Sequence, residues 1–292
     1  MPYPTWHLPV FPIVDHYPFF ARERGVTRVY TLLPGGPLTP LSTMISPFLQ
    51  RVAIFGSRGK MGAFFMERFL SIGLDAYGFD LPMDINLLRT AVPKVDLVLL
   101  AVPIPAMNSC LGAIANLLSP KTILADICSV KMIPVEKMLR AFSGPVVGTH
   151  PLFGPEPGDT DLRVAICPAR APEAADGLEE VLSICGMTCF RTDPEEHDQA
   201  MAYIQGLNYV TTLSYFCAHD LDDTLRQFIT PSFERRMISA QKMLVEDGKL
   251  FGTLCETNPL MASTIRRYLK VLGLAAAGDF DLLRDKALSW WK

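Results

Sequence analysis

From Arg51 onward the chain alternates short apolar runs with stretches in which apolar residues recur every three or four positions. That alternation predicts strands joined by helices into βαβ units, and so a parallel sheet. RVAIFG reads as the first strand, residues 61–72 as its helix, DAYGFD as the second strand, and VDLVLLAVP as a later strand buried on both faces. TILADICS, GPVVGTH and RVAICPA read as further strands, LEEVLSIC as a helix and MTCFRTD as a closing strand, so a first unit spans residues 49–192. Beyond Pro194 strand signals nearly vanish. HDQAMAYIQGLNYVTTLSYFCAHDL and SFERRMISAQKMLVEDGKLF carry apolar residues at helical spacing, which predicts an all-helical second unit over residues 193–292. Helices this apolar in about a hundred residues imply a surface covered by a second copy, and a homodimer is expected.

Residues 1–48 follow neither pattern. Nine prolines interrupt aromatic and β-branched stretches, and PGGPLTP at 34–40 cannot continue a helix or a central strand. This segment reads as an irregular extension whose aromatics, including Trp6, Tyr17, Phe19 and Phe20, dock on the body or on a second subunit.

Composition narrows the function. A formal charge of -3 and a pI near 6.0 offer no general attraction to nucleic acid or to an anionic membrane, so a small-molecule partner is expected. The seven cysteines lack paired C-x-x-C spacing, which argues against zinc and disulfide frameworks and for a reducing compartment. The amino terminus carries no basic region followed by an apolar run, and no segment is apolar for the length of a bilayer, so a cytoplasmic location is expected.

GSRGKMG joins the first strand to its helix through Gly56, Gly59 and Gly62. Missing side chains there permit a tight turn and let backbone N–H groups approach a pyrophosphate, although glycines also punctuate such turns for structural reasons alone. Arg58, Lys60 and Met61 complete the turn. Asp80 ends the second strand about twenty residues on, where a carboxylate accepts hydrogen bonds from ribose hydroxyls. That placement favours NAD over NADP, whose 2'-phosphate it repels, with Arg58 as a partial offset; the plainer reading of Asp80 is a solvated turn residue. The expected fold is an α/β, Rossmann-type doubly wound, mainly parallel sheet followed by an all-helical C-terminal unit.

Three motifs fall where strand carboxyl ends meet the crevice of such a sheet: AVPIP at 101–105, with Val102 and Pro103 beside the cofactor, DICSVK at 126–131, and GTHPLFGP at 148–155. His150 in the last suits proton abstraction from a carbinol, since an unperturbed imidazole titrates near pH 6.5. DICSVK, GPVVGTHPLFGP and then EEHDQAMAYIQGL together resemble the prephenate dehydrogenases, especially the form fused to chorismate mutase in enteric bacteria. The resemblance covers roughly residues 50–285, and no mutase segment is read in the sequence. It implies that His150 bonds the ring hydroxyl of the substrate and that Ser129 holds the same hydroxyl and orients the histidine. It puts Lys131 near the cofactor crevice and His197 and Gln205 near the substrate. Ser129 and Lys131 can also be read as turn caps, and His197 as a helix-start residue with local bonds.

Two positions depart from that pattern. Where relatives place an arginine after an S/T-P-x-[YF] turn to anchor a carboxylate, TPSFERRM places Glu234, with Arg235 able to serve only by a one-residue shift. Where relatives carry a histidine twelve residues after His197, this chain has Tyr209. The resemblance implies NAD-dependent oxidative decarboxylation of prephenate to 4-hydroxyphenylpyruvate. The two departures raise 4-amino-4-deoxyprephenate as the alternative substrate, with arogenate a minor one. A catalytically silent dinucleotide sensor is the reading from another class.

Overall fold

In the computed structural model, the residues described are 19–23, 26–32, 38–40, 49–158 and 161–291. Within 1–48, expected to be irregular, three strands form a small antiparallel sheet: β1 (Phe19–Glu23), β2 (Val26–Leu32) and β3 (Leu38–Pro40). This corrects the reading from prolines. Glu23 pairs with Val26, leaving two residues between β1 and β2 as in a tight hairpin, and Pro40 falls on the edge strand, where no ladder N–H is required of it. The expected docking of Trp6 and Tyr17 lies outside the described residues.

The main sheet has seven strands. In chain order they are β4 (Arg51–Phe55), β5 (Asp75–Phe79), β6 (Leu97–Leu100), β7 (Ile123–Asp126), β8 (Val146–Pro151), β9 (Arg163–Arg170) and β10 (Thr188–Arg191). Their spatial order is β10-β9-β8-β7-β6-β4-β5, parallel throughout except that β9 runs antiparallel to β8. The chain moves outward from β4 to β5 and then crosses back to β6. Strand order therefore reverses at β4 and β6, and the crevice beyond their carboxyl ends is where such sheets bind ligands.

Alternation along each strand sends side chains to two faces, and both are covered. Ala53, Phe55, Val98, Leu100 and Leu124 pack with α2 (Ile85–Ala91), α3 (Ile104–Ile114) and α4 (Met132–Ala141). Val52, Ile54, Leu97, Leu99 and Ala125 pack with α1 (Lys60–Ser71) and α5 (Ala174–Ile184). The near-continuous apolar strands read from sequence are thus a consequence of burial on two sides.

From Pro194 every described element is helical. The functionally relevant ones are α6 (Pro194–Met201), which continues through a π-helical turn at Ala202–Leu207 into α7 (Asn208–Cys217), then α8 (Asp223–Arg226), α9 (Pro231–Gln241), α10 (Gly248–Thr257) and α11 (Met261–Ala276). Asp193 caps α6 by accepting from the N–H groups of Glu195 and Glu196. The buried core here is small, built on Ala202, Leu207 and Met261. No helix among the described residues is long and apolar enough to cross a membrane.

Candidate active site

The glycine turn is built at β4's end. Gly56 has φ +86°, and a Cβ there would stand 2.4 Å from the Ala101 carbonyl oxygen, so only glycine fits. A Cβ on Gly62 would lie 2.0 Å from the Gly56 oxygen, so α1 begins pressed onto the turn. Gly59, the N-cap of α1, offers no side-chain cap to the N–H groups at the start of that helix, while the Gly56 and Gly59 N–H groups are bonded to the Phe79 and Gly56 carbonyl oxygens. Asp80 follows β5 and reaches back: it accepts from the Ser57 hydroxyl at 2.5 Å and from the Arg58 N–H at 3.1 Å, and remains partly exposed. Arg58 Nε lies 3.9 Å from the same carboxylate on a largely exposed side chain. Lys60 and Met61 open α1. An uncluttered turn with a carboxylate at its rim fits the pyrophosphate and ribose of a dinucleotide.

His150 lies near the end of β8, opposite Ala165 of β9, and is buried. Its Nδ1 is 2.9 Å from Nε2 of His197, and Nδ1 of His197 is 2.8 Å from Oδ1 of Asp198. Asp198 also accepts the N–H of Lys131 at 2.6 Å and of Met132 at 2.9 Å, while its carbonyl oxygen accepts from Asn258 Nδ2 at 2.8 Å. Burial holds the His150 pKa well below the ordinary 6.5, with repulsion from His197 and Lys131 adding to it. The imidazole is therefore neutral at neutral pH.

Two of the expected site residues have buried side chains. Lys131 does not reach the crevice: its side chain is wholly buried and its ammonium is bound to Asp126 Oδ2 and the Thr149 carbonyl oxygen, each at 2.5 Å. A buried ammonium needs a paired charge, and Asp126 at the end of β7 supplies it. His197 is buried beside His150, with both ring nitrogens engaged by His150 and Asp198. Asp126, Asp198 and Asn258 were missed by the sequence reading. The DICSVK and EEHD runs held the only available signal, an acid five residues before a lysine and an acid next to a histidine.

A cleft of about 540 Å³ opens beside Ser129. Val102, Pro103 and Ser129 form one wall, and α10 supplies the other through Lys249, Thr253 and Thr257. Lys249 is the sole cation among its lining residues, where it stands beside the acids Glu246 and Asp247, and no sequence motif marks it. Cys128, in the same wall, has its pKa pushed well up by burial and by Asp126, which makes it a poor nucleophile. Glu234 and Arg235, exposed in the first turns of α9, are not in this lining. Tyr209 stacks on Phe251 of α10 with centroids 5.6 Å apart. Gln205, in the π turn, has a buried Oε1 without a hydrogen-bond partner among the described residues.

A glycine turn, a carboxylate at the second strand and a crevice at the point of strand reversal define a Rossmann-type dinucleotide-binding fold. Residues 77–164 match the family described as prephenate dehydrogenase, nucleotide-binding domain, a match that begins after the glycine turn. The chain carries a prephenate dehydrogenase nucleotide-binding domain. It is 31% identical over 244 residues to the T-protein of Enterobacter agglomerans, across 80% of this chain and 63% of that one. To the T-protein of Haemophilus influenzae it is 30% identical over 171 residues, 58% of this chain and 45% of that one. The chain thus spans less than two thirds of the length of either relative. In fold it is similar to a prephenate dehydrogenase from A. aeolicus solved with hydroxyphenyl propionate and NAD+, with TM-score 0.65, 18% identity and coverage of 84% of this chain and 95% of that one.

Proposed function

We propose that this chain is an NAD-dependent dehydrogenase that oxidises and decarboxylates a prephenate-type cyclohexadienyl acid to an arylpyruvate. The observation that carries the reading is the neutral His150 near the carboxyl end of β8, buried and anchored through its Nδ1 to His197. Gly56, Gly59, Gly62 and Asp80 hold the dinucleotide, with Arg58, Lys60, Met61, Val102 and Pro103 around it. When bound, the nicotinamide accepts hydride from the ring carbon that carries the hydroxyl. His150 takes the hydroxyl proton, Ser129 holds the oxygen, and the walls of the cleft exclude water. Oxidation makes an electron sink conjugated to the quaternary carbon, carbon dioxide departs, and aromatisation supplies the driving force.

A carboxylate of the substrate can pair with Lys249, the cation of a cleft that also carries Glu246 and Asp247. Glu234 and Tyr209, standing where relatives carry basic residues, favour a second reading in which the natural substrate is 4-amino-4-deoxyprephenate. Following NADH formation with prephenate, 4-amino-4-deoxyprephenate and arogenate tests all of these. Turnover on none of them leaves the silent-sensor reading.

The reading includes a homodimer formed through the helical half, supported by exposed Phe228, Ile238, Val245 and Trp290. Sedimentation at several concentrations tests it, and a monomer throughout refutes it.

A further inference from the structure

Asp198 accepts hydrogen bonds from two backbone amides at the amino end of α4, those of Lys131 and Met132. An amide N–H can only donate, so both carboxylate oxygens act as acceptors, and the helix start favours their negative charge. His197 Nδ1, facing the same Oδ1, must therefore donate. In a neutral ring that leaves His197 Nε2 as a lone pair, which accepts the Nδ1 proton of His150. Nε2 of His150 is then the unprotonated nitrogen. The direction of donation set at the end of one helix thus fixes the tautomer of a ring on β8.

The proposed reaction makes a specific demand on that ring. Prephenate dianion and NAD+ become hydroxyphenylpyruvate monoanion, carbon dioxide and NADH, with no proton gained or lost overall. The hydroxyl proton given up as hydride leaves is regained by the same oxygen when the ring becomes a phenol. A site for this chemistry needs to hold a proton briefly, and it needs no exit to water. His150 alone holds one poorly, being buried near the Lys131 ammonium.

We propose that His197 and Asp198 are positioning residues that form a closed proton store behind His150. As His150 Nε2 takes the substrate proton, its Nδ1 proton passes to His197 Nε2, and the positive charge comes to rest beside the Asp198 carboxylate. The same two shifts in reverse return the proton to the substrate oxygen. His197 and Asp198 are both buried, which suits storage without exchange. Around His197 and Asp198 stand His150 on β8, the Lys131–Asp126 ion pair between α4 and β7, and the Cys167 thiol on β9. The store rests on the proposed reaction, but its resting arrangement can be read without substrate.

The test uses the full chain with 15N-labelled histidine. There are five histidines, and the variants H150N and H197N assign the two that matter. The expected spectrum near neutral pH shows both rings protonated on Nδ1 and bare on Nε2; a proton on His150 Nε2 overturns the proposal. In turnover, D198N should lower kcat at least tenfold and move the acid limb of its pH profile downward by about one unit, because the stored charge loses its partner. H197N, which leaves Asp198's amide contacts intact, should shift the limb in the same direction. An unchanged profile overturns the store, as does a lower kcat with the limb in place in variants that keep the parent's melting temperature. If no substrate turns over, the reaction has failed while the ring spectrum still decides the tautomers.

Discussion

The ammonium of Lys131 lies 2.5 Å from Asp126 Oδ2, and both side chains are wholly buried. Asp126 Oδ2 also accepts the Cys128 N–H at 2.9 Å, and the Thr149 hydroxyl donates to the Asp126 carbonyl oxygen, so this pair ties the ends of β7 and β8 together beneath His150. Removing one member leaves a buried charge without its partner. Lys131→Met should cost about 3 to 5 kcal/mol in urea unfolding, and adding Asp126→Asn should restore part of it. A loss below about 1 kcal/mol for the single variant would show that the pair carries no such burden.

Replacing His150 with Asn should leave folding and NAD affinity nearly intact while lowering turnover at least about a hundredfold, the scale of a positioned proton acceptor. Turnover within threefold of the parent would remove His150 from the chemistry. The pH dependence follows from the lowered pKa. Because protonation is disfavoured in the fold, the base stays neutral below pH 6.5, and activity should persist to lower pH than an ordinary histidine allows. Stability runs the other way: the unfolded chain takes up a proton near pH 6.5 and the folded one does not, so His150 weakens the fold as pH falls below that value. In H150N this contribution to acid destabilisation should vanish from the unfolding curves.

The sheet was legible because its strands are apolar on successive residues and its turns hold glycines that nothing else can replace. His150 was legible because its motif has a fixed place at a strand end. What could not be read was depth. His197 and Lys131 lie in the right motifs, but whether a side chain faces the crevice or the interior depends on how α6 packs on α4, a long-range contact without a local pattern. Lys249 was invisible for the same reason, since nothing around it in the sequence says that α10 closes the cleft. The hairpin at residues 19–32 was obscured by prolines on either side of it.

The cofactor preference follows from Asp80. NAD should be used at least about tenfold better than NADP, and Asp80→Ala should narrow the gap by removing repulsion of the 2'-phosphate. Since Asp80 also holds Ser57 and the Arg58 N–H, the variant should bind NAD more weakly as well. Steady-state kinetics with both cofactors measures each effect, and a parent that prefers NADP refutes the assignment.

Substrate choice turns on charge in the cleft. Lys249→Glu should raise KM for a carboxylated substrate by about ten to a hundredfold, the worth of a charged contact of roughly 1.5 to 3 kcal/mol, with little change in folding. If the amine is the natural substrate, Glu234→Arg with Tyr209→His should move the kcat/KM ratio toward prephenate. A ratio unmoved by that pair would show that neither residue reads the substrate.

The π turn at Ala202–Leu207 has a consequence for how the helical half tolerates changes in length. Such a turn holds about one residue more than an α-helical turn, and one residue corresponds to roughly 100° of rotation about the helix axis. Tyr209 therefore sits out of phase with His197 and Asp198 compared with an unbroken helix. Deleting one residue within 202–207 would bring the two halves into a single helical phase and swing Tyr209 off Phe251, while α6 stays anchored to α4 by Asp198. Length variation in this short stretch thus re-aims the face that α7 shows to α10 and leaves the histidine end of α6 where it is.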